Sequence, residues 1–465
     1  MIKTVTIKNK RYSLVKDGYV NRGKNIYSII TGKNGVGKSR LLSAIVNDFI
    51  TFRAEDIDRF YINGRERNHE NSNCHIEQEY VINKIIAVST SAFDKFPVPR
   101  KRERIEYYSY LGVRGLSNTL NLSKEYLSRI ISKLISSILY KKINMEEIGR
   151  VLAYLGYDDQ IEISFNYKFS NAKLKTIIES NDVYETFSSE FFKGNPFNSI
   201  NLNNYIDKES GYNENHIWHT IDMMKGLSVD RTGRSGTIRI HGNNLVFEDR
   251  DVSYDDEKIN AFVHLLEQGF ITAKDIHLKK RDSGFKYKIS DASSGEQCIV
   301  MSIIGIASQI EDNSLICIDE PEICLHPEWQ ERYIPILIDT FRHYSGCHFI
   351  IATHSPQITS KLIEENCFVI SMQDGFAKDA KEFVNKSIDF QLASIFKAPG
   401  YKNEYLTRVL VSYLASVSAN EKITYDEQAN IKEIISLKAS IDEKDPVRKL
   451  IALAEKAMKV VKNGD

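Results

Sequence analysis

The stretch Ile26 to Ser39 reads Ile-Tyr-Ser-Ile-Ile-Thr-Gly-Lys-Asn-Gly-Val-Gly-Lys-Ser. A short apolar strand runs into Gly-x-x-x-x-Gly-Lys-Ser, and helical sequence follows from about Lys38 to Phe49. Glycines let the backbone curl tightly with its N–H groups turned inward. Those donors and the positive end of the following helix together make a seat for phosphate. Lys38 would then reach the β- and γ-phosphates, and the Ser39 hydroxyl would ligate Mg²⁺. Taken alone, the motif also fits a glycine-rich turn before an ordinary helix.

The 465 residues suffice for two or three domain-sized units, or one large domain with an insertion. Apolar residues make up 42% and charged residues 27%, as in ordinary globular proteins. Lys+Arg and Asp+Glu both number 62, so no overall basic field draws in nucleic acid, and any such contact needs a local patch. Cys74, Cys298, Cys317, Cys324, Cys347 and Cys367 form no Cys-x-x-Cys pair and read as reduced intracellular thiols. The first residues alternate like a strand and lack the apolar core of a signal peptide. No apolar run approaches the roughly 20 residues that span a bilayer. A cytoplasmic protein with no membrane partner is expected.

Along the chain, residues 1–50 read as strand, strand, phosphate loop and helix. Tyr12 reads as a plain strand aromatic, although adenine stacking would ask only for a π-face. Residues 51–80 are a polar surface segment. Ile85 to Val88 looks like a parallel strand buried on both faces, which makes Ser89 and Asp94 beyond its end either site candidates or turn caps. Arg100, Lys101, Arg102 and Arg104, with Tyr107, Tyr108 and Tyr110 behind them, read as a solvated loop beside a strand. Basic residues with aromatics also suit single-stranded nucleic acid. From about 116 to 280 the pattern is mainly helical, with Ser117 to Tyr140 and Ile259 to Gln268 as helices. Gly194 to His216 reads as loop, and Thr237 to Phe247 as a hairpin turning at Gly242-Asn243. Sustained heptads with charged flanks are lacking, which argues against a long coiled-coil arm.

Chemistry returns after Ile289. Ser293-Ser294-Gly295-Glu296-Gln297 precedes an apolar helix, Leu315 to Ile318 ends in Asp319-Glu320, and His348 to Thr353 ends at His354. Ser294-x-x-Gln297 fits a capping box, and the same free N–H groups could cap a γ-phosphate. Asp319 can hold the water shell of Mg²⁺, with Glu320 as the general base on the attacking water. His354, beyond the next strand, is either a buried hydrogen-bonded histidine or a γ-phosphate sensor. Strands alternate with helices throughout, as in a parallel sheet. After about 420 the chain is helical and charged, with Pro446 suited to the first turn of a last amphipathic helix.

In this order the motifs resemble the ABC-type ATPase superfamily, in the branch with RecF-, SMC- and OLD-like heads. Gly32 to Ser39 matches Walker A, Ser293 to Gln297 the signature, Leu315 to Glu320 Walker B, and His354 the switch histidine. The resemblance implies an α/β head with a mainly parallel central sheet, split by the helical insertion and followed by a helical tail. The expected units are 1–115 and 281–420 for the head, 116–280 for the insertion and 421–465 for the tail. It also implies ATP and Mg²⁺ as cofactors. Asn34, Gly35, Gly37, Lys38, Ser39 and Arg40 would bind nucleotide, Ser39 and Asp319 the metal, and Glu320 and His354 would be catalytic. Two heads would sandwich two ATPs, with Ser293, Ser294, Gly295 and Glu296 acting on the partner's nucleotide.

Ser89 to Phe96 stands where most members carry a Q-loop glutamine. That segment, Glu322 to Gln330, and Tyr401 to Thr407 together look like the PtuA-type ATPases of Septu anti-phage systems, a type also found with some retrons. Such ATPases act with a separate HNH-type nuclease, and DNA would be met through the complex. Beyond His354 no Asp-x-Asp pair suits a Toprim nuclease, and no His-Asn-His metal-finger spacing is present, so cutting is expected in trans. A RecF-like repair ATPase that binds DNA directly, and a degenerate ATPase acting as a structural oligomer, are the alternatives.

Overall fold

The computed structural model describes the chain except for residues 21–22, 54–60, 63–64, 67–73, 80, 99–106, 115–121, 140–144, 193–204, 206–210, 228, 231, 242–243, 249–254, 363–364, 385, 420, 422 and 464–465. The basic run Arg100, Lys101, Arg102 and Arg104, the turn at Gly242-Asn243 and most of the asparagine-rich loop lie outside the described residues.

A seven-stranded sheet forms the centre. Its order is Ala377–Asp379, Cys367–Ser371, Ile26–Thr31, His348–Thr353, Leu315–Asp319, Ile85–Ser89 and Tyr108–Gly112. Every neighbouring pair is parallel except the edge pair made by Ala377–Asp379. Strands from both sides of the insertion therefore interleave. The apolar runs read continuously because both faces are covered, and side chains alternate between them. Ile29, Ile316, Ile318 and Phe349 enter one core, while Ile30, Leu315, Cys317 and Ile350 enter another. The second core is closed by helix Lys38–Arg53 and by a three-stranded antiparallel sheet of Ile2–Ile7, Lys10–Ser13 and Cys74–Gln78. Its last strand falls in the stretch read from sequence as polar surface. Tyr12 is buried in this core, as a plain strand aromatic would be.

One fully buried polar chain ties the amino-terminal strand to the sheet. The Ile2 N–H donates to His348 Nδ1 at 3.2 Å, so Nε2 carries the ring proton. That nitrogen meets Ser28 Oγ at 2.8 Å, and the Ser28 hydroxyl donates to the Leu14 carbonyl at 2.6 Å.

The insertion has more helix than strand, but its spine is a five-stranded antiparallel sheet foreshadowed in the sequence only by one hairpin. The order is Asn244–Glu248, Ser235–His241, Tyr157–Tyr167, Ile271–Lys280 and Lys286–Lys288. Helix Leu122–Leu139 packs Ile130, Ile131, Leu134 and Ile135 into the same core as the head helix Ser294–Ala307. A methyl group on Gly305 of that head helix would come within 3.3 Å of Ile130 Cδ1, so glycine there lets the two elements touch. At the carboxyl end, Glu404–Ser418, Tyr425–Ser436 and Pro446–Asn463 share a separate apolar core built on Leu406, Leu410, Ile431, Ile434 and Ile451. This helical unit begins earlier than the expected boundary at 421. Among the described residues, no helix is long and apolar enough to cross a membrane.

Candidate nucleotide site

Register builds the site. Thr31 lies opposite Thr353 and Ala352 opposite Asp319, so Gly32, Glu320 and His354 leave the sheet side by side. Gly35 and Gly37 take φ of +77° and +107°, which disfavour a side chain and let the loop fold back over the helix start. Asn34, Gly35 and Arg40 are exposed along it, and Lys38 is buried.

Lys38 Nζ donates to the Gly32 carbonyl at 2.9 Å, to the Lys33 carbonyl at 3.3 Å and to His354 Nδ1 at 2.9 Å. An ammonium has no acceptor, so Nδ1 accepts and the imidazole carries its proton on Nε2. That nitrogen lies 3.0 Å from Glu320 Oε1. Lysine, histidine and glutamate thus form one hydrogen-bonded line. Burial lowers the Lys38 ammonium to about 8, opposed by the carboxylates of Glu320, Glu322 and Asp319. His354 is also lowered, by burial first and then by Lys38, which keeps the ring neutral.

Ser39 Oγ donates to Asp319 Oδ1 at 3.1 Å. Asp319 is 1% exposed, and burial raises its carboxyl to about 7, with Glu320, Asp94 and Glu322 adding to the rise. A carboxylate so placed is short of positive charge, and with the Ser39 hydroxyl it fits a hard divalent cation. Among the described residues, no group of three or more His, Cys, Asp or Glu side chains gathers to hold a metal unaided.

Glu320 sits at φ 50° and ψ 56°, a left-handed backbone that is costly for a residue with a side chain. The next residue is Pro321, which disfavours the right-handed helical alternative. Glu320 N–H donates to the Ala352 carbonyl at 2.9 Å, which fixes the turn.

The structure brings to the site residues to which the sequence reading gave no role there. Glu322 Oε1 accepts the His354 backbone N–H, and burial pushes this carboxyl up. A glutamate in a loop gives no sequence signal that it turns inward. Ser355 Oγ donates to Gln330 Oε1 at 2.5 Å, and Gln330 Nε2 holds the Leu325 carbonyl at 2.8 Å, which braces the turn after His354.

Of the two candidates at the end of Ile85–Ser89, Ser89 lies opposite Asp319 in register and caps its own turn, accepting the Ser91 N–H at 3.1 Å. Asp94 is buried and near enough to Asp319 to affect it. Burial raises the Asp94 carboxyl, against a 2.6 Å hydrogen bond from the Tyr110 hydroxyl and the charge of Arg114. Tyr110→Phe leaves that buried carboxylate one donor short. Stability is expected to fall by about 1–3 kcal/mol, read as a lower denaturation midpoint.

The signature turn stands apart from these contacts. The capping box is Ser293 with Glu296, one residue earlier than the Ser294–Gln297 pairing expected from sequence. The register differs because Gln297 turns back instead, donating to the Ser290 and Ala292 carbonyls at 3.1 and 2.9 Å. Gly295 is buried because its Cβ position faces the Cys324 carbonyl at 3.3 Å. Ser293 and Ser294 are exposed at the helix N-terminus, and Glu296 bonds Lys280 of the insertion at 3.4 Å.

Comparison with known proteins finds distant likenesses. Residues 155–360 match a family described as "AAA domain, putative AbiEii toxin, Type IV TA system". The match contains the signature, Asp319, Glu320 and His354 but not the phosphate loop. The Retron Ec83 probable ATPase of Escherichia coli is 32% identical over 89 residues, covering 17% of this chain and 16% of that protein. The Retron Vc95 probable ATPase of Vibrio cholerae serotype O1 biovar El Tor is 22% identical over 392 residues, covering 78% and 72%. Among solved structures, an Smc head bound to the C-winged helix domain of ScpA covers 81% of this chain and 96% of its own, at 12% identity and a TM-score of 0.26. An Smc head with an extended coiled coil, bound to the C-terminal domain of ScpA derived from Pyrococcus furiosus, covers 81% and 95% at 14% identity and a TM-score of 0.29. Residues 155–360 are thus similar to an AAA-domain family, and the chain is distantly similar to the probable ATPases of two retrons.

Proposed function

We propose that this chain hydrolyses ATP between paired copies, and that the pair governs an HNH-type nuclease on a separate chain in anti-phage defence. The observation that carries the hydrolytic part is the line Lys38–His354–Glu320 beside the Ser39–Asp319 pair. In it a phosphate-binding cation, a sensor, a base and a metal-binding pair occupy one sheet end. Triphosphate oxygens replace the loop carbonyls and His354 Nδ1 as acceptors for Lys38. Ser39 and Asp319 would hold Mg²⁺, which would supply positive charge to the phosphate oxygens. Glu320 takes the proton of the attacking water, and His354 keeps Glu320 oriented through Nε2–H.

Exposed Ser293 and Ser294 share none of those contacts, which supports their use on a second copy's nucleotide. The retron relatives support the defence setting. Tyr425 is 82% exposed on the carboxyl-terminal helical unit, a surface suited to the nuclease chain.

Mixing two inactive variants tests the pairing. Lys38→Ala loses its own phosphate site, and Ser294→Arg obstructs the surface offered to a partner. Each alone is expected to be inactive, and the mixture to regain turnover because one of its two sites is intact. A mixture as inactive as its parts contradicts completion in trans. Co-expression with the adjacent reading frame tests the nuclease. If none of HNH type co-purifies, that part of the reading fails. Salt-sensitive binding of duplex DNA by the purified chain alone would favour the RecF-like alternative.

A further inference from the structure

Two cysteines meet where the signature helix rests on the loop that follows Glu320. Cys324 closes the 3₁₀ turn Pro321–Cys324, and Cys298 lies in the first turns of helix Ser294–Ala307. The backbones approach closely here, as the 3.3 Å between a built Gly295 Cβ and the Cys324 carbonyl shows. Cys298 follows Gly295 at i, i+3 and so shares the helix face that meets this loop. Its thiol lies within interaction reach of the Cys324 thiol, and the buried Thr90 hydroxyl lies near Cys298 as well. Both cysteines are free and only partly buried. The two thiols act on each other, which draws Cys324 below its ordinary value and, together with burial, pushes Cys298 above. Burial moves Cys74, Cys317 and Cys347 upward instead.

We propose that Cys298 and Cys324 form a reversible disulfide on exposure to peroxide, tying the signature helix to the loop that carries Glu320. The Cys324 thiolate attacks one oxygen of hydrogen peroxide, breaking the O–O bond. The products are a sulfenic acid and hydroxide, which takes up a proton to give water. Cys298 then gives up its proton and attacks the Cys324 sulfur. The S–S bond forms, and the sulfenic hydroxyl leaves with that proton as a second water. Two thiols are oxidised and one peroxide is reduced to two waters. The bond fixes the signature helix against the loop that carries Glu320 and limits any movement between them. Resting on the proposed ATPase reading, it also slows turnover until a dithiol reductant restores the thiols.

The test treats the full chain with hydrogen peroxide, blocks remaining thiols and digests with a glutamate-specific protease. No lysine or arginine separates residues 289–331, so trypsin cannot resolve the pairing. Cleavage after glutamate places Cys298 in 297–311, Cys317 in 312–322 and Cys324 in 323–328. The expected result is a linked 297–311 and 323–328 pair, lost on reduction and absent from both Cys298→Ser and Cys324→Ser. ATP turnover is expected to fall on oxidation, recover on reduction and resist peroxide in both variants. Folded protein that gives no such pair, a link through 312–322, or a bond between two chains overturns the proposal. Loss of turnover that persists in both serine variants overturns the regulatory part. A chain that forms the bond yet never hydrolyses ATP would sink the ATPase reading and leave the dithiol standing.

Discussion

Glu320→Gln is expected to cut ATP turnover by about 10²–10⁴-fold, the usual cost of losing a general base, while nucleotide still binds. The amide keeps the size of the side chain and can still accept from His354 Nε2, 3.0 Å away in the wild type. It cannot take a proton from water. Lys38, Ser39 and Asp319, the proposed contacts to the phosphates and the metal, are untouched. Steady-state turnover beside equilibrium binding of a fluorescent ATP analogue separates the two effects. Unchanged turnover would remove Glu320 from the chemistry. If the wild type were equally inactive, the chain would be the structural oligomer considered from its sequence.

Acid is expected to destabilise the fold through His348. Burial takes this imidazole from the ordinary 6.5 to about 3. The folded-state value is depressed, so below about 6.5 the unfolded chain binds a proton that the folded chain refuses. Stability therefore falls as pH drops from 6.5 toward 3, by up to about 1.4 kcal/mol per unit and roughly 4 kcal/mol over the whole window. The cause is local, because the ring is buried with both nitrogens committed to Ile2 and Ser28. His348→Asn keeps an acceptor for the Ile2 N–H and removes the titration. Denaturation midpoints at pH 7, 5 and 4 should converge between variant and wild type as the pH falls. Parallel curves would mean that the ring accepts its proton without cost.

The head was legible because its chemistry is local in sequence. The glycines of the phosphate loop, the apolar run ahead of Asp319 and the strand ahead of His354 each carry their own signal. Parallel register then brings them together. The insertion was less legible. Strand Tyr157–Tyr167 pairs with Ser235–His241 and Ile271–Lys280, and both pairings span long stretches of chain. Nothing in the local pattern of any one of these strands names its partners. Within this sheet the hairpin Ser235–His241 to Asn244–Glu248 joins strands that are near neighbours in sequence, and that was the part foreseen. Within the site, Glu322 was missed for a related reason. Its inward turn depends on the backbone N–H of His354, which sequence places far away.

The antiparallel lobe is no free appendage. Ile130 seats against Gly305, and Lys280 reaches Glu296. Tilting the lobe would therefore load both ends of helix Ser294–Ala307, through Gly305 and through the Lys280–Glu296 pair. A macromolecule that grips the lobe holds a lever whose short arm ends at Ser294. The force available there is set by how stiffly one shared core joins the two.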